Sequence, residues 1–226
     1  MYQANQPSTI LALSGGLDSA VLCAILLAER GPRAVLPVFF RYGSKHNTWE
    51  EKAADAIALH YRLELTFIDM TAVFDNVSSA LLAKDPRPVP RADYDEMNMK
   101  QTVVPGRNLL FASAMAAVAE SRGIPEIALA THGGDHHLYP DCRPEFNAAL
   151  DSVIQCSTEG KVRVTVPFAT MSKADIVATG LRLKAPLELT RSCYETSGTS
   201  CGSCGTCTER LAAFAANGAQ DPARYR

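Results

Sequence analysis

The sequence lacks a long apolar run. Its longest, AVLCAILLA at residues 20–28, falls far short of the ~18–20 residues that cross a bilayer. It also lacks a basic leader: MYQANQPSTI is polar and carries no positively charged start, so no secretory signal is expected. Together these predict a soluble, cytoplasmic protein with no membrane partner. There is no basic excess, with 22 Lys+Arg against 24 Asp+Glu and a formal net charge of −2. That excludes a long nucleic-acid footprint. Internal repeats and low-complexity tracts are missing, as are the Walker A pattern and G-x-G-x-x-G. Cysteines number seven, at 23, 142, 156, 193, 201, 204 and 207. An odd count with no leader argues against a disulfide framework.

What is there fits one α/β domain with a small appendage. The chain has 226 residues, 47% hydrophobic and 20% charged, enough for a sizeable core. STILAL at 8–13, RAVLPVFF at 33–40, LELTFID at 63–69, PEIALAT at 125–131 and KVRVTVPF at 161–168 read as strands. Helices are expected over 18–30, from Thr48 to about His60, over 107–123 with Gly123 as the stop, over 143–157, and from Ser172 onward. Thr48 with Glu51 and Ser172 with Asp175 have capping-box spacing. Strands alternating with helices predict a parallel sheet with right-handed crossovers. Residues 75–106 break the rhythm with prolines and charges, as a functional lid or a connector does. The expected division is an α/β domain at 1–190 and a cysteine-bearing appendage with a final helix, about 206–217, at 191–226.

The stretch SGGLDS, Ser14 to Ser19, follows the first strand and opens the first helix. Ligands of open α/β sheets sit at the carboxyl ends of strands. Gly15 and Gly16 let the backbone turn and an anion approach, and the helix offers its positive end. Ser14 and Ser19 can donate to phosphate oxygens. Asp18 would repel phosphate, so its place makes sense if it holds Mg²⁺ or caps the helix. A plain glycine-rich turn is the competing reading.

Four cysteines fall within fifteen residues: Cys193-x7-Cys201-x2-Cys204-x2-Cys207. Three thiolates at this spacing can wrap one ion and the fourth closes the set, as in structural zinc sites. Gly202 and Gly205 allow the tight turns. An iron–sulfur cluster is the rival. Thr206 and Glu209 have capping-box spacing for the final helix.

SGGLDS resembles the PP-loop motif of the ATP pyrophosphatases. With VVPGRN (103–108), YPDCRPEF (139–146) and the cysteine array following in order, the chain is similar to the QueC family from about residue 9 to 214. The resemblance implies an adenine nucleotide alpha hydrolase-like, Rossmann-like sheet. It implies an ATP-dependent carbon–nitrogen ligase of queuosine-type deazapurine biosynthesis. Such an enzyme adenylates 7-carboxy-7-deazaguanine, lets ammonia displace AMP, activates the resulting amide with a second ATP, and releases the nitrile. Leu13, Ser14, Gly15, Gly16, Leu17, Asp18 and Ser19, with Gly106 and Arg107, would then bind ATP. Asp18, Arg107 and Lys173 would be catalytic. Tyr42, His46, Asp135, Tyr139, Asp141 and Arg143 would hold the deazapurine, and the four cysteines a structural zinc. Asn108 is expected to cap its helix, and Cys142 to be a small buried hydrophobe. A homodimer is implied by resemblance alone.

Two departures from the family pattern stand out. His132, His136 and His137 enrich the stretch after the fourth strand, where they suit orienting or acid–base roles. Trp49 takes the place of an acidic residue three after His46, with Glu50 and Glu51 next. Both put the acceptor in question, so a ligase that transfers the activated deazapurine to a protein amine is the alternative. A tRNA-modifying enzyme would need a basic RNA-binding domain, for which there is no room. A non-catalytic nucleotide-binding module is disfavoured by SGGLDS together with Arg107 and Lys173.

Overall fold

In the computed structural model, residues 7–89, 100–135, 139–195 and 198–226 are described. Five strands form: β1 (Thr9–Ala12), β2 (Val35–Arg41), β3 (Thr66–Asp69), β4 (Glu126–Ala128) and β5 (Arg163–Thr165). The helices are α1 (Leu17–Arg30), α2 (Asn47–His60), the single turn α3 (Thr71–Phe74), α4 (Arg107–Arg122), α5 (Pro144–Ser157), α6 (Lys173–Leu183) and α7 (Gly205–Ala216).

All strand pairs are parallel, in the order β3-β2-β1-β4-β5. Ile10 of β1 sits between Leu36 of β2 and Ile127 of β4. The chain winds outward in one direction from β1 to β3 and in the other from β4 to β5. The order therefore reverses between β1 and β4, where open parallel sheets form a crevice. The strand pleat sends alternate residues to opposite faces. Leu11 and Phe39 join one core with α1, α6 and α7, and Ile10, Val38 and Phe40 join another with α4 and α5.

The segment Lys100–Arg122 has the length and a mean hydropathy, 1.2, of a membrane span. Its apolar side is committed to the sheet: Ala112, Met115, Ala116 and Ala119 pack with Ile10 and Ile127.

The helix starts bear out one expected capping box and correct two. The box at Ser172–Asp175 forms in full, Asp175 N–H donating to Ser172 Oγ and Ser172 N–H to Asp175 Oδ2. The expected box at Thr48–Glu51 does not form. Helix α2 begins one residue earlier with His46 as its N-cap, and Glu51 is taken by a bidentate pair with Arg41 at 2.9 and 2.6 Å, the stronger interaction. The expected box at Thr206–Glu209 fails too. Cys204 is the N-cap of α7, Thr206 Oγ1 donates to Ser192 O at 2.7 Å, and Glu209 turns toward Lys173.

Within 75–106, residues 90–99 lie outside the described residues. The part before them is strapped to the turn after β2. Lys45 Nζ donates to the carbonyls of Ala80 and Arg87, Ala83 N–H donates to Gly43 O, and Ser44 bridges to Leu82.

Gly15 fixes the loop after β1. Its φ is +79°, and a Cβ there would lie 2.4 Å from Glu50 O and 2.8 Å from Ala54 N. The glycine thus makes the turn expected of it and, in addition, allows close packing on α2. Gly16 has φ −76°, and the nearest atom to a Cβ there is Ser14 Oγ at 3.3 Å.

At the other end of the chain, α7 packs on α6, and Phe214 lies in the core that holds Leu11 and Phe39. Arg210, 3% exposed, pairs in bidentate fashion with Asp221 at 2.7 and 2.9 Å and donates to Thr190 Oγ1 and Leu187 O. Hydrogen bonds from Arg210, Tyr225 and the Ala223 N–H outweigh burial and hold the Asp221 carboxyl below its usual range.

Two stability predictions follow from these contacts. Gly15→Ala should fold poorly, whereas Gly16→Ala should keep a cooperative melt within a few degrees of the parent; circular dichroism melts distinguish them. Asp221→Asn leaves the buried Arg210 charge poorly compensated and should cost about 3 kcal/mol, a Tm loss of roughly 6–12 °C. Because the folded pKa of Asp221 is depressed, the stabilisation is full above the unfolded value near ~4. It is lost as pH falls through the folded value, so parent and variant should converge in acid.

Candidate active site

The carboxyl ends of β1 and β4 open into a cavity of about 280 Å³. On one side lies the loop into α1. Ser14 Oγ lies 3.2 Å from Ser19 Oγ and accepts from Gly16 N–H at 3.3 Å, and Ser19 Oγ donates to Gly16 O at 3.0 Å. Leu13, Ser14, Gly16, Leu17, Asp18 and Ser19 line the cavity. The first-turn N–H groups of a helix have no intrahelical partner; those of α1 sit at this loop, an arrangement suited to an anion.

Asp18 does not cap the helix. Its oxygens lie 2.9 and 2.7 Å from Lys173 Nζ, at the start of α6. Lys173 Nζ is also 3.6 Å from Glu209 Oε2, and His132 Nε2 is 3.9 Å from Asp18 Oδ2. His132, 1% exposed, follows β4, and its Nδ1 accepts from Gly134 N–H. That bond leaves Nε2 to carry the proton of the neutral ring toward Asp18.

Arg107 begins α4 and lines the cavity beside Tyr42. Burial opposes its charge, but Tyr42, Asp141 and Cys142 outweigh burial and raise its pKa. Tyr42 is buried, and burial together with Glu50 pushes its phenol up against the pull of Arg107. Phe40 and Phe111 stack at 4.0 Å with a 3° interplanar angle, and Tyr42 meets Phe111 edge-on. This gives the cavity a flat aromatic wall. Tyr139 joins it, its Oη 3.1 Å from Thr102 Oγ1.

His46, 3% exposed, has Nε2 3.6 Å from Glu50 Oε1 and its ring against Tyr194, while its Nδ1 is buried with no hydrogen-bond partner. Arg191 N–H donates to Gly15 O at 2.8 Å, and its guanidinium lies over Trp49. Trp49 thus braces the C-terminal segment.

Other expected site residues lie elsewhere. Asp141 Oδ2 accepts from Asn108 N–H at 3.1 Å and Asp141 O from Asn108 Nδ2. Asp141 therefore caps α4 from outside, the role expected of Asn108. Cys142, 3% exposed, lines the cavity and accepts from Asn108 Nδ2. Arg143 is exposed at the N-cap of α5, and Gly106 is exposed at the N-cap of α4 with φ +67°. Neither lines the cavity. Asp135 ends a 3-10 turn after β4, and His136 and His137 lie outside the described residues.

Among the polar cavity residues, Glu50, Arg191, Tyr194 and Glu209 were not singled out as site residues from sequence, nor was the aromatic wall of Phe40 and Phe111, whereas His132 was named for an orienting or acid–base role. Glu50, one helical turn from His46, was within reach of a pattern argument. Arg191, Tyr194 and Glu209 arrive by tertiary folding and leave no local signal.

The Sγ atoms of Cys193, Cys201, Cys204 and Cys207 all lie within 4.8 Å of one another. A tetrahedral ion with metal–sulfur bonds of 2.3 Å needs sulfurs about 3.8 Å apart, so the donor set fits one ion. Backbone N–H groups of Glu195 and Cys201 point at Cys193 Sγ, and those of Ser203 and Cys204 at Cys201 Sγ. Crowding of the four thiols lowers Cys201 and Cys204 and raises Cys193 and Cys207, so the sulfurs share their protons as one set, and a metal ion would displace them together.

Comparison with known proteins agrees with this architecture. Residues 8–218 match the family model described as "Queuosine biosynthesis protein QueC". A 7-cyano-7-deazaguanine synthase of Archaeoglobus fulgidus is 41% identical over 214 residues, covering 94% of this chain and 88% of the relative. Those of Desulfotalea psychrophila and Marinobacter nauticus are each 38% identical, covering 91% and 96% of this chain and 93% and 97% of the relatives. Among solved structures, the NMN synthetase of Francisella tularensis superposes with a TM-score of 0.52 at 14% identity, covering 95% of this chain and 79% of that one. The U34-tRNA thiolase NcsA of Methanococcus maripaludis gives 0.51 at 14%, covering 80% and 59%. These two likenesses concern the fold alone. With a family model spanning the sheet, the cavity and the cysteine array, this chain belongs to the QueC family.

Proposed function

We propose that the chain is a 7-cyano-7-deazaguanine synthase, an ATP-dependent carbon–nitrogen ligase acting on 7-carboxy-7-deazaguanine and ammonia. The observation that carries this reading is a single cavity shared by the glycine loop, Arg107, Lys173 and a flat aromatic wall, in a chain 41% identical to a synthase.

The loop Leu13–Ser19 receives the ATP phosphates, with Ser14 and Ser19 hydroxyls and the α1 N-terminus as donors. The stacked Phe40–Phe111 pair offers a surface for a planar base, and Tyr42, His46 and Tyr139 bring polar atoms to its edge. For Asp141 and Arg143 the support as substrate residues is the YPDCRPEF motif, and for Asp135 its spacing before Tyr139. For Asp141 and Arg143 the geometry favours a supporting role.

In the first half-reaction a carboxylate oxygen of the substrate attacks the α-phosphorus and pyrophosphate leaves. Ammonia then attacks the carboxyl carbon, AMP departs, and the amide remains. In the second, the amide oxygen attacks the α-phosphorus of a second ATP and a second pyrophosphate leaves. Loss of AMP and of the nitrogen-bound protons gives the nitrile. Arg107 and Lys173 stabilise charge that builds on phosphate oxygens, the largest kind of contribution such a site can make. Asp18 and the loop hydroxyls fit a magnesium ion carried by ATP, which supplies charge neutralisation there. The four cysteines hold a structural zinc, which fixes the C-terminal segment against the cavity. Nothing among the described residues favours a protein amine as acceptor. The enzyme works in the cytoplasm on free small molecules, and as the homodimer its family resemblance implies.

Incubation with 7-carboxy-7-deazaguanine, Mg-ATP and ammonium should yield AMP, pyrophosphate and the nitrile mass. Omitting ammonium should stop the reaction before the amide. AMP formation with no amide or nitrile under full conditions would point to another acceptor. Elemental analysis should find one zinc per chain, and a Cys204→Ser variant should lose it together with several degrees of Tm. Iron with a visible absorption band would exclude zinc.

A further inference from the structure

Two acidic side chains in the cavity, Glu50 and Glu209, have no part in the reaction as outlined, and of these Glu209 stands beside Lys173. Glu209 lies on α7, two residues beyond Cys207, with its Oε2 3.6 Å from Lys173 Nζ. Lys173 is itself the first residue of α6 and holds both oxygens of Asp18 at under 3 Å. The ammonium therefore stands between two carboxylates from distant parts of the chain. The 3.6 Å separation is too long for a strong hydrogen bond, so the contact with Glu209 is chiefly Coulombic. Both side chains are shielded, 15% exposed for Lys173 and 27% for Glu209, which weakens screening by solvent.

A glycine makes room for this arrangement. A Cβ at position 134 would lie 2.9 Å from His132 Cε1 and 3.5 Å from Glu209 Oε1. The loop after β4 thus comes close to both side chains.

The two carboxylates differ in what a nucleotide does to them. Asp18 belongs to the phosphate-binding loop, so an arriving phosphate competes with it directly for Lys173. Glu209 is outside that loop. Its helix starts within the cysteine cluster, and the next residue, Arg210, is locked to Asp221. An ammonium has three donors and can face a phosphate while keeping an anion beside it.

We propose that Glu209 is a positioning residue for Lys173: it retains the ammonium when a phosphate replaces Asp18 as the nearer partner, and so ties the nucleotide end of the cavity to the C-terminal helix. This rests on the reading of Lys173 as a phosphate contact.

The test is a double-variant cycle read by equilibrium binding of Mg-ATP in calorimetry, with AMP release in a single turnover alongside. Glu209→Gln should keep the parent's melt and metal content and bind Mg-ATP about three- to ten-fold more weakly, with the KM for the deazapurine unchanged. Glu209→Asp, which keeps the charge, should recover part of the loss. In a Lys173→Gln background, Glu209→Gln should add nothing. Unchanged or tighter binding by Glu209→Gln, or losses that multiply in the double variant, would overturn the proposal. If Lys173→Gln weakens binding and Glu209→Gln does not, only the role of Glu209 falls. If Lys173→Gln binds as the parent does, the reading of Lys173 falls first and takes this one with it.

Discussion

The loop between β1 and α1 is held by backbone contacts from outside as well as by its own side chains. The Gly15 α-carbon lies against the backbone of α2, where a methyl group would meet Glu50 O at 2.4 Å. The Gly15 carbonyl is held from the other side by Arg191 N–H. With the loop clamped between α2 and the C-terminal segment, the N-terminus of α1 keeps its direction before any ligand arrives. Preorganised donors need no rearrangement during reaction. Gly15 makes the turn expected from sequence, and close packing on α2 is a second demand on it that no local pattern records.

Charge is distributed around the cavity in a consistent way. Lys173 and Arg107 come from two different helix starts, at the α6 and α4 N-termini. A lysine or arginine there faces an adverse helix dipole, and each has nearby anionic or phenolic partners: Asp18 and Glu209 for Lys173, Tyr42 and Asp141 for Arg107. On the proposed reading, phosphate and carboxylate groups of the substrates share these cations with their resident partners. The apolar wall of Phe40 and Phe111 is continuous with the core under β2 and α4, so the surface offered to a flat base is as rigid as the interior.

Much of the fold was legible because each strand and long helix carries its own period. The five strands and the helices after β1, β2, β4 and β5 all formed within a few residues of their expected bounds. Boundaries failed where a side chain had a better partner elsewhere. Glu51 was drawn to Arg41 and Thr206 to Ser192, and no local pattern encodes either contact. The site was legible in part for the same reason. SGGLDS apart from Gly15, with Arg107, Tyr42, His46, Tyr139 and Lys173, lines one cavity, since motifs at strand ends converge once the sheet forms. Asp141 sits in a motif but spends its carboxylate on the α4 N-terminus. Arg191, Tyr194 and Glu209 reach the cavity across more than a hundred residues of chain from the loop they face, a distance no periodicity records.

The placement of those last residues sets an order of assembly. A chain leaving the ribosome presents Ser14–Ser19 early, yet the wall opposite belongs to residues 191–210. Until that segment has emerged and folded, the Gly15 carbonyl has no Arg191 N–H to hold it. Partly synthesised chains therefore carry the loop without its enclosure. Since domains fold as units during synthesis, the cavity is completed only when residues 191–210 join it.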